Sequence, residues 1–138
     1  MQRLGGILSL LGLGLLAGGM LFFGAVMAPL VFTRLPLDVA GPFIRTAFPY
    51  YYAYMLATSG LALIGFLLRR RAFSALVPGG TFAATIWAWF WLIPRLDAYR
   101  AAGNMAAFNH GHALSVWVDG IELLAVLLLL IREGATRG

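Results

Sequence analysis

The chain has no cysteine and no lysine, and it is poor in charge of either sign: Asp, Glu, Lys and Arg together make up 11% of its 138 residues. Lack of cysteine excludes disulfides, thiolate metal sites and thiol nucleophiles together. Scarcity of charge excludes an ordinary soluble domain, in which roughly a quarter of the residues are charged. What fills the space is apolar, since 62% of the residues are hydrophobic. All ten basic residues are arginines, and with five acids they give a formal charge of +5. These arginines fall between apolar runs rather than forming a continuous basic surface, so they read as topology signals and nucleic-acid binding has no support.

Four apolar segments approach or exceed the roughly 20 residues that cross a ~30 Å hydrocarbon core. They cover about residues 4–32, 50–68, 72–93 and 113–131. The expected fold is an all-α integral membrane four-helix bundle forming a single domain over residues 1–138, with the lipid bilayer as its first partner. Val26-Met27-Ala28 loosely resembles a signal-peptide cleavage site, but the preceding apolar run is about twice the usual 7–15-residue core of a leader, and a membrane span is preferred. Only Arg69-Arg70-Arg71 separates the second and third segments, which predicts a tight antiparallel hairpin. Residues 33–49 and 94–112 carry Pro36, Pro42, Pro49 and Pro94 and read as longer connections with short interfacial helices.

Four crossings place the N-terminus, the 69–71 turn and the C-terminus on one side of the membrane. Arg3, Arg69, Arg70, Arg71, Arg132 and Arg137 lie there, against Arg34, Arg45, Arg95 and Arg100 on the other. The positive-inside rule then predicts cytoplasmic termini. Trp87, Trp89, Trp91 and Tyr50-Tyr51-Tyr52 fall near the outer boundary and read as an aromatic belt. The first segment is rich in glycine, and Gly14 and Gly18 form a GxxxG spacing that lets helix backbones approach closely. In a polytopic chain, packing within the chain is its expected use. The residues after Ile131 read as a short tail that stops the last helix.

The last segment is the most specific part of the sequence. His112, Ser115, Asp119 and Glu122 are spaced by three, four and three residues, which at about 100° per residue confines them to an arc of roughly 80°. A carboxylate deep in a bilayer costs roughly 2.5–3.5 kcal/mol on insertion scales, so this stripe is expected to face the bundle interior or water. Two uses follow. The stripe can line a path or pocket for a cation, proton or small polar molecule reached from outside, with Arg34, Arg95 and Arg100 as candidate residues at its mouth. Alternatively, it is a hydrogen-bonded network that fixes helix register.

Metal and cofactor chemistry gets less support. His110 and His112 would converge with Met105 only if the helix started near Asn109, giving an imidazole and thioether set that suits copper. Bis-histidine haem within one chain is excluded, because both histidines lie on the same helix two residues apart. No cofactor is required by the sequence. The nucleophile elbow, phosphate loop, HExxH and GxGxxG spacings are all missing, which disfavours an enzyme.

Four fragments in order, Gly18–Phe32 containing Ala28-Pro29, Ala47–Tyr51 containing Phe48-Pro49, Ile93–Arg100 containing Pro94-Arg95, and Phe108 with His112 and Ser115, carry a resemblance. Together they resemble the transmembrane protein 205-like family, also a bacterial domain of unknown function numbered 4149. The resemblance implies a four-helix, multi-pass protein of the bacterial inner membrane with a largely unassigned role. Asp119 stands where that pattern has asparagine, and Tyr50 where it has a basic residue. The leading function is therefore transport or ligand binding along the stripe. The alternatives are a non-catalytic accessory subunit, whether homo-oligomeric or within a larger membrane complex, and a copper- or haem-binding protein.

Overall fold

A computed structural model describes residues 1–136; Arg137, one of the arginines counted on the cytoplasmic side, lies outside the described residues. The described chain is all helix and turn, with four helices each long and apolar enough to cross a membrane: α1, Gln2–Arg34; α2, Leu37–Leu68; α3, Ala72–Ala101; and α4, Met105–Ala135. At about 1.5 Å per residue such helices run to roughly 45–50 Å, well beyond a ~30 Å hydrocarbon core. Their ends therefore project past the acyl chains.

The expected long connections are a correction. Residues 37–49 belong to α2, residues 94–101 to α3 and residues 105–112 to α4, so the links shrink to Leu35-Pro36 and residues 102–104. The prolines read as breakers are accommodated within helices. Pro36 is the N-cap of α2, where a missing backbone N–H costs least, while Pro42 and Pro49 lie inside that helix. Pro29 and Pro94 each follow a π-helical stretch, Phe22–Met27 in α1 and Ala88–Leu92 in α3. The Ala28 N–H reaches back to the Phe23 carbonyl and the Ile93 N–H to Ala88. Such a five-residue step widens the turn that a proline ring would otherwise strike.

The turns use local chemistry. After α2, Arg70 adopts a left-handed conformation at φ 55° and the Arg71 N–H bonds to the Phe66 carbonyl at 3.0 Å. After α3, Gly103 does the same at φ 70°, and the Asn104 N–H bonds to the Tyr99 carbonyl at 2.9 Å. Both are Schellman-type stops. The Asn104 side chain then caps α4 by accepting from the Ala107 N–H at 3.2 Å.

Helices α1 and α2 form the spine. Gly5, Gly12 and Gly19 recur every seven residues on the face of α1 that meets α2. At Gly12 a Cβ would stand 2.8 Å from the Thr58 carbonyl oxygen and from Ala62 Cα, so only glycine allows this approach. The GxxxG glycines do something else: a Cβ on Gly14 or Gly18 would meet nothing within 4 Å among the described residues. They face away from the bundle rather than packing within the chain.

Helix α4 is peripheral. Of its most apolar stretch 11% is buried inside the protein, against 44% for α2. Val126, Leu129 and Glu133 are its buried residues, all near the end that carries the termini. Glu133 corrects the reading of the tail as a simple stop. It is fully buried, and its carboxylate accepts from Arg69 Nη1 at 2.6 Å and Arg71 Nη1 at 2.9 Å, while Arg69 also donates to Ser9 Oγ at 3.0 Å. This cluster ties α1, the α2–α3 turn and the end of α4 together.

Candidate functional site: a polar-floored cavity between the distal halves of the helices

At the end opposite the termini, hereafter the distal end, the helices separate. Phe23 of α1 stacks on Tyr51 of α2 with ring centroids 4.1 Å apart, and Phe48 stacks on Tyr52 at 5.6 Å. Where glycines let α1 and α2 touch near the termini, rings hold them apart here. The space between the four helices is a half-open cavity of about 930 Å³.

His112, Ser115, Asp119 and Glu122 all lie on the wall of this cavity. The Tyr51 hydroxyl donates to Asp119 Oδ1 at 3.2 Å across the gap between α2 and α4. Glu122 Oε1 is buried and has no hydrogen-bond partner among the described residues, an arrangement that native proteins generally avoid unless a ligand or water completes it. Because α4 begins at Met105, Asp119 and Glu122 stand about 21 and 25 Å along a helix of roughly 46 Å. They therefore sit close to its middle. Ser115 turns its hydroxyl back to the His112 carbonyl at 2.7 Å, and the His112 ring lies parallel to Phe108, 6.0 Å away, in an exposed position at the distal mouth.

The candidate mouth arginines divide. Arg100 lines the cavity, with its guanidinium 4.5 Å over the Phe108 ring. Arg34 ends α1, where a cation suits the helix dipole, and Arg95 stacks 3.9 Å over Trp91. Neither of those two is on the cavity wall. Arg45, which was not expected at the site, is on the wall and makes a bidentate pair with Asp97, Nη2 to Oδ2 at 2.6 Å and Nε to Oδ1 at 2.9 Å.

The condition for a His/Met cluster is not met. Asn104, not Asn109, caps α4, so His110 and His112 both lie within the helix, about 200° apart. Met105 and His112 line the cavity but His110 does not. Among the described residues no group of three or more His, Cys, Asp or Glu side chains is placed to hold a metal ion.

The aromatic belt needs a similar correction. Tyr50 is exposed, but Tyr51 and Tyr52 are buried and form the wall facing the acids. Trp87 also lines the cavity, whereas Trp91 points outward and is 45% exposed. Both π-helical stretches contribute wall positions, Phe23 and Gly24 from one and Ala88 from the other. Tyr51, Tyr52, Arg45, Asp97 and the π-helical stretches were not identified from sequence. The aromatic run and the prolines were visible, but their rotation toward the interior depends on the partner helices.

The fold and its apolar spans thus define a multi-pass helical membrane protein. A family model described as a domain of unknown function, DUF4149, matches residues 11–105, and the chain belongs to that family. The match ends where α4 begins, so the stripe lies beyond it. No curated protein and no solved structure matches the chain.

Proposed function

We propose that this is a membrane-embedded binding protein whose cavity takes a cation or a small polar ligand, with Asp119 and Glu122 as the recognising acids. The observation that supports it is Glu122, whose Oε1 has no partner among the described residues and lies on the wall of a large cavity. A stripe serving only to fix helix register would be expected to satisfy its own polar atoms. Conduction of the ion or proton is a finer version of the same proposal. On the arginine balance, both termini face the cytoplasm and the cavity opens outward; the membrane is the bacterial inner membrane implied by the family resemblance.

The test is thermal unfolding of the purified protein titrated with sodium, potassium, magnesium and methylammonium chlorides. At least one is expected to stabilise the wild type in a saturable way, and Glu122→Gln is expected to remove that effect while folding normally. A response unchanged in Glu122→Gln would refute the reading. A second function, as an accessory subunit or homo-oligomer, is favoured by the outward face of Gly14 and Gly18. Loss of a defined assembly in Gly14→Leu would support it, and a monodisperse monomer in the wild type would count against it.

A further inference from the structure

We infer that the ligand is an amphipathic organic cation, admitted sideways from the bilayer between the distal halves of α1 and α4. This rests on the cavity being a binding site for cations.

Size is the first argument. A cavity of about 930 Å³ would hold on the order of thirty waters at ~30 Å³ each, far more than a bare ion needs. Apolar side chains form most of its lining, with Asp119, Glu122, Tyr51, Arg45 and Asp97 set among them. Volume and lining instead match sites for small organic molecules, which are mostly apolar with a few placed polar groups.

Charge selects the sign. The carboxylates of Asp119 and Glu122 lie at the deep end, while the cationic side chains on the wall, Arg45 and Arg100, lie near the distal end and are engaged by Asp97 and the Phe108 ring. The aromatic side chains of Phe23, Tyr51, Tyr52 and Trp87 also line the cavity. Such rings cover the apolar body of an organic cation, and a free ring face attracts its charge.

Access comes from the packing. Helix α4 packs on residues 2–21 of α1, whereas residues 28–34 of α1 pack on α2. Beside the distal half of α4 the wall is therefore thin. Val116 of α4 and Phe32 of α1 both line the cavity and are 57% and 46% exposed, so no neighbouring helix covers them. Gly24 of α1 also lines the cavity with no side chain, and a Cβ there would meet nothing within 4 Å among the described residues. A molecule dissolved in the acyl region can pass this side opening without crossing the Arg45–Asp97 pair at the distal end.

The experiment uses tetraphenylphosphonium and tetraphenylborate, ions of nearly the same shape and opposite charge, with the full chain in lipid nanodiscs. Tetraphenylphosphonium is expected to bind saturably and tetraphenylborate about tenfold or more weaker. The double variant Asp119→Asn/Glu122→Gln is expected to lose about tenfold or more in phosphonium affinity, the scale of losing hydrogen-bonded charge. Gly24→Phe, which keeps both acids and puts a ring at the side opening, is expected to weaken phosphonium binding. Equal binding of the two ions, or unchanged phosphonium binding by the double variant, would identify a groove for lipid chains and overturn the inference. Stabilisation by inorganic cations alone, lost in Glu122→Gln, would overturn the inference and leave the proposed function standing. No response to any cation would remove both.

Discussion

The two halves of this bundle pack in opposite ways. Toward the termini, Gly5 and Gly12 let α1 lie directly on α2, and a buried carboxylate, Glu133, gathers two arginines and a serine. Toward the distal end, stacked rings replace glycines, two helices loosen into π turns ahead of Pro29 and Pro94, and another carboxylate, Glu122, has one oxygen with no partner among the described residues. In lipid, apolarity alone gives helices no reason to associate, so small residues and satisfied polar groups decide where they close. The contrast assigns stability to one half and leaves the other loosely packed around its cavity.

The largest effect is expected from Glu133→Ala, which strands Arg69 and Arg71 beside each other with their shared partner gone. A loss of about 3 kcal/mol in unfolding free energy is anticipated, measured by denaturation in mixed micelles. A cost below about 1 kcal/mol would show that the cluster is not what closes this half. Next is Gly12→Leu, which must wedge α1 away from Thr58 and Ala62 and should cost about 1–3 kcal/mol. Gly14→Leu, two residues on, should leave the monomer within about 0.5 kcal/mol of wild type. Equal effects at the two glycines would erase the distinction between inward and outward faces.

Smaller changes are expected in the distal half. Tyr51→Phe removes the hydroxyl that donates to Asp119 and should cost about 1 kcal/mol, in the same denaturation assay. Arg45→Ala breaks a pair whose side chains are 37% and 46% exposed, for which less than about 1 kcal/mol is anticipated. A loss at Arg45 comparable to that at Glu133 would mean that the distal end is locked rather than open.

The four crossings were legible because long apolar runs have one physical explanation in a chain with so little charge. Their ends were not. Pro42, Pro49 and Pro94 look like breakers, yet α2 runs on through the first two and Pro94 follows a π turn, which no local pattern announces. The stripe on α4 was legible through its three-four-three spacing, since a carboxylate at that depth has to face inward. Its partners were not, because which of Tyr50, Tyr51 and Tyr52 turns inward depends on how α2 is rotated against α1 and α4. Glu133 escaped for a related reason: a charge at the end of an apolar run reads as interfacial until the turn that clamps it is in view. The GxxxG spacing was conspicuous but faces outward, while the glycines that set the seam recur at seven residues.

A chain free of cysteine allows the inward face to be probed at single positions. Asp119→Cys and Ile121→Cys lie at nearly the same depth on opposite sides of α4, the first on the cavity wall and the second 63% exposed to the surroundings. With ethylammonium methanethiosulfonate applied to protein in membranes, Asp119→Cys should react and Ile121→Cys should stay inert. Reaction at Ile121→Cys with none at Asp119→Cys would mean that the acids face lipid and that α4 encloses no site.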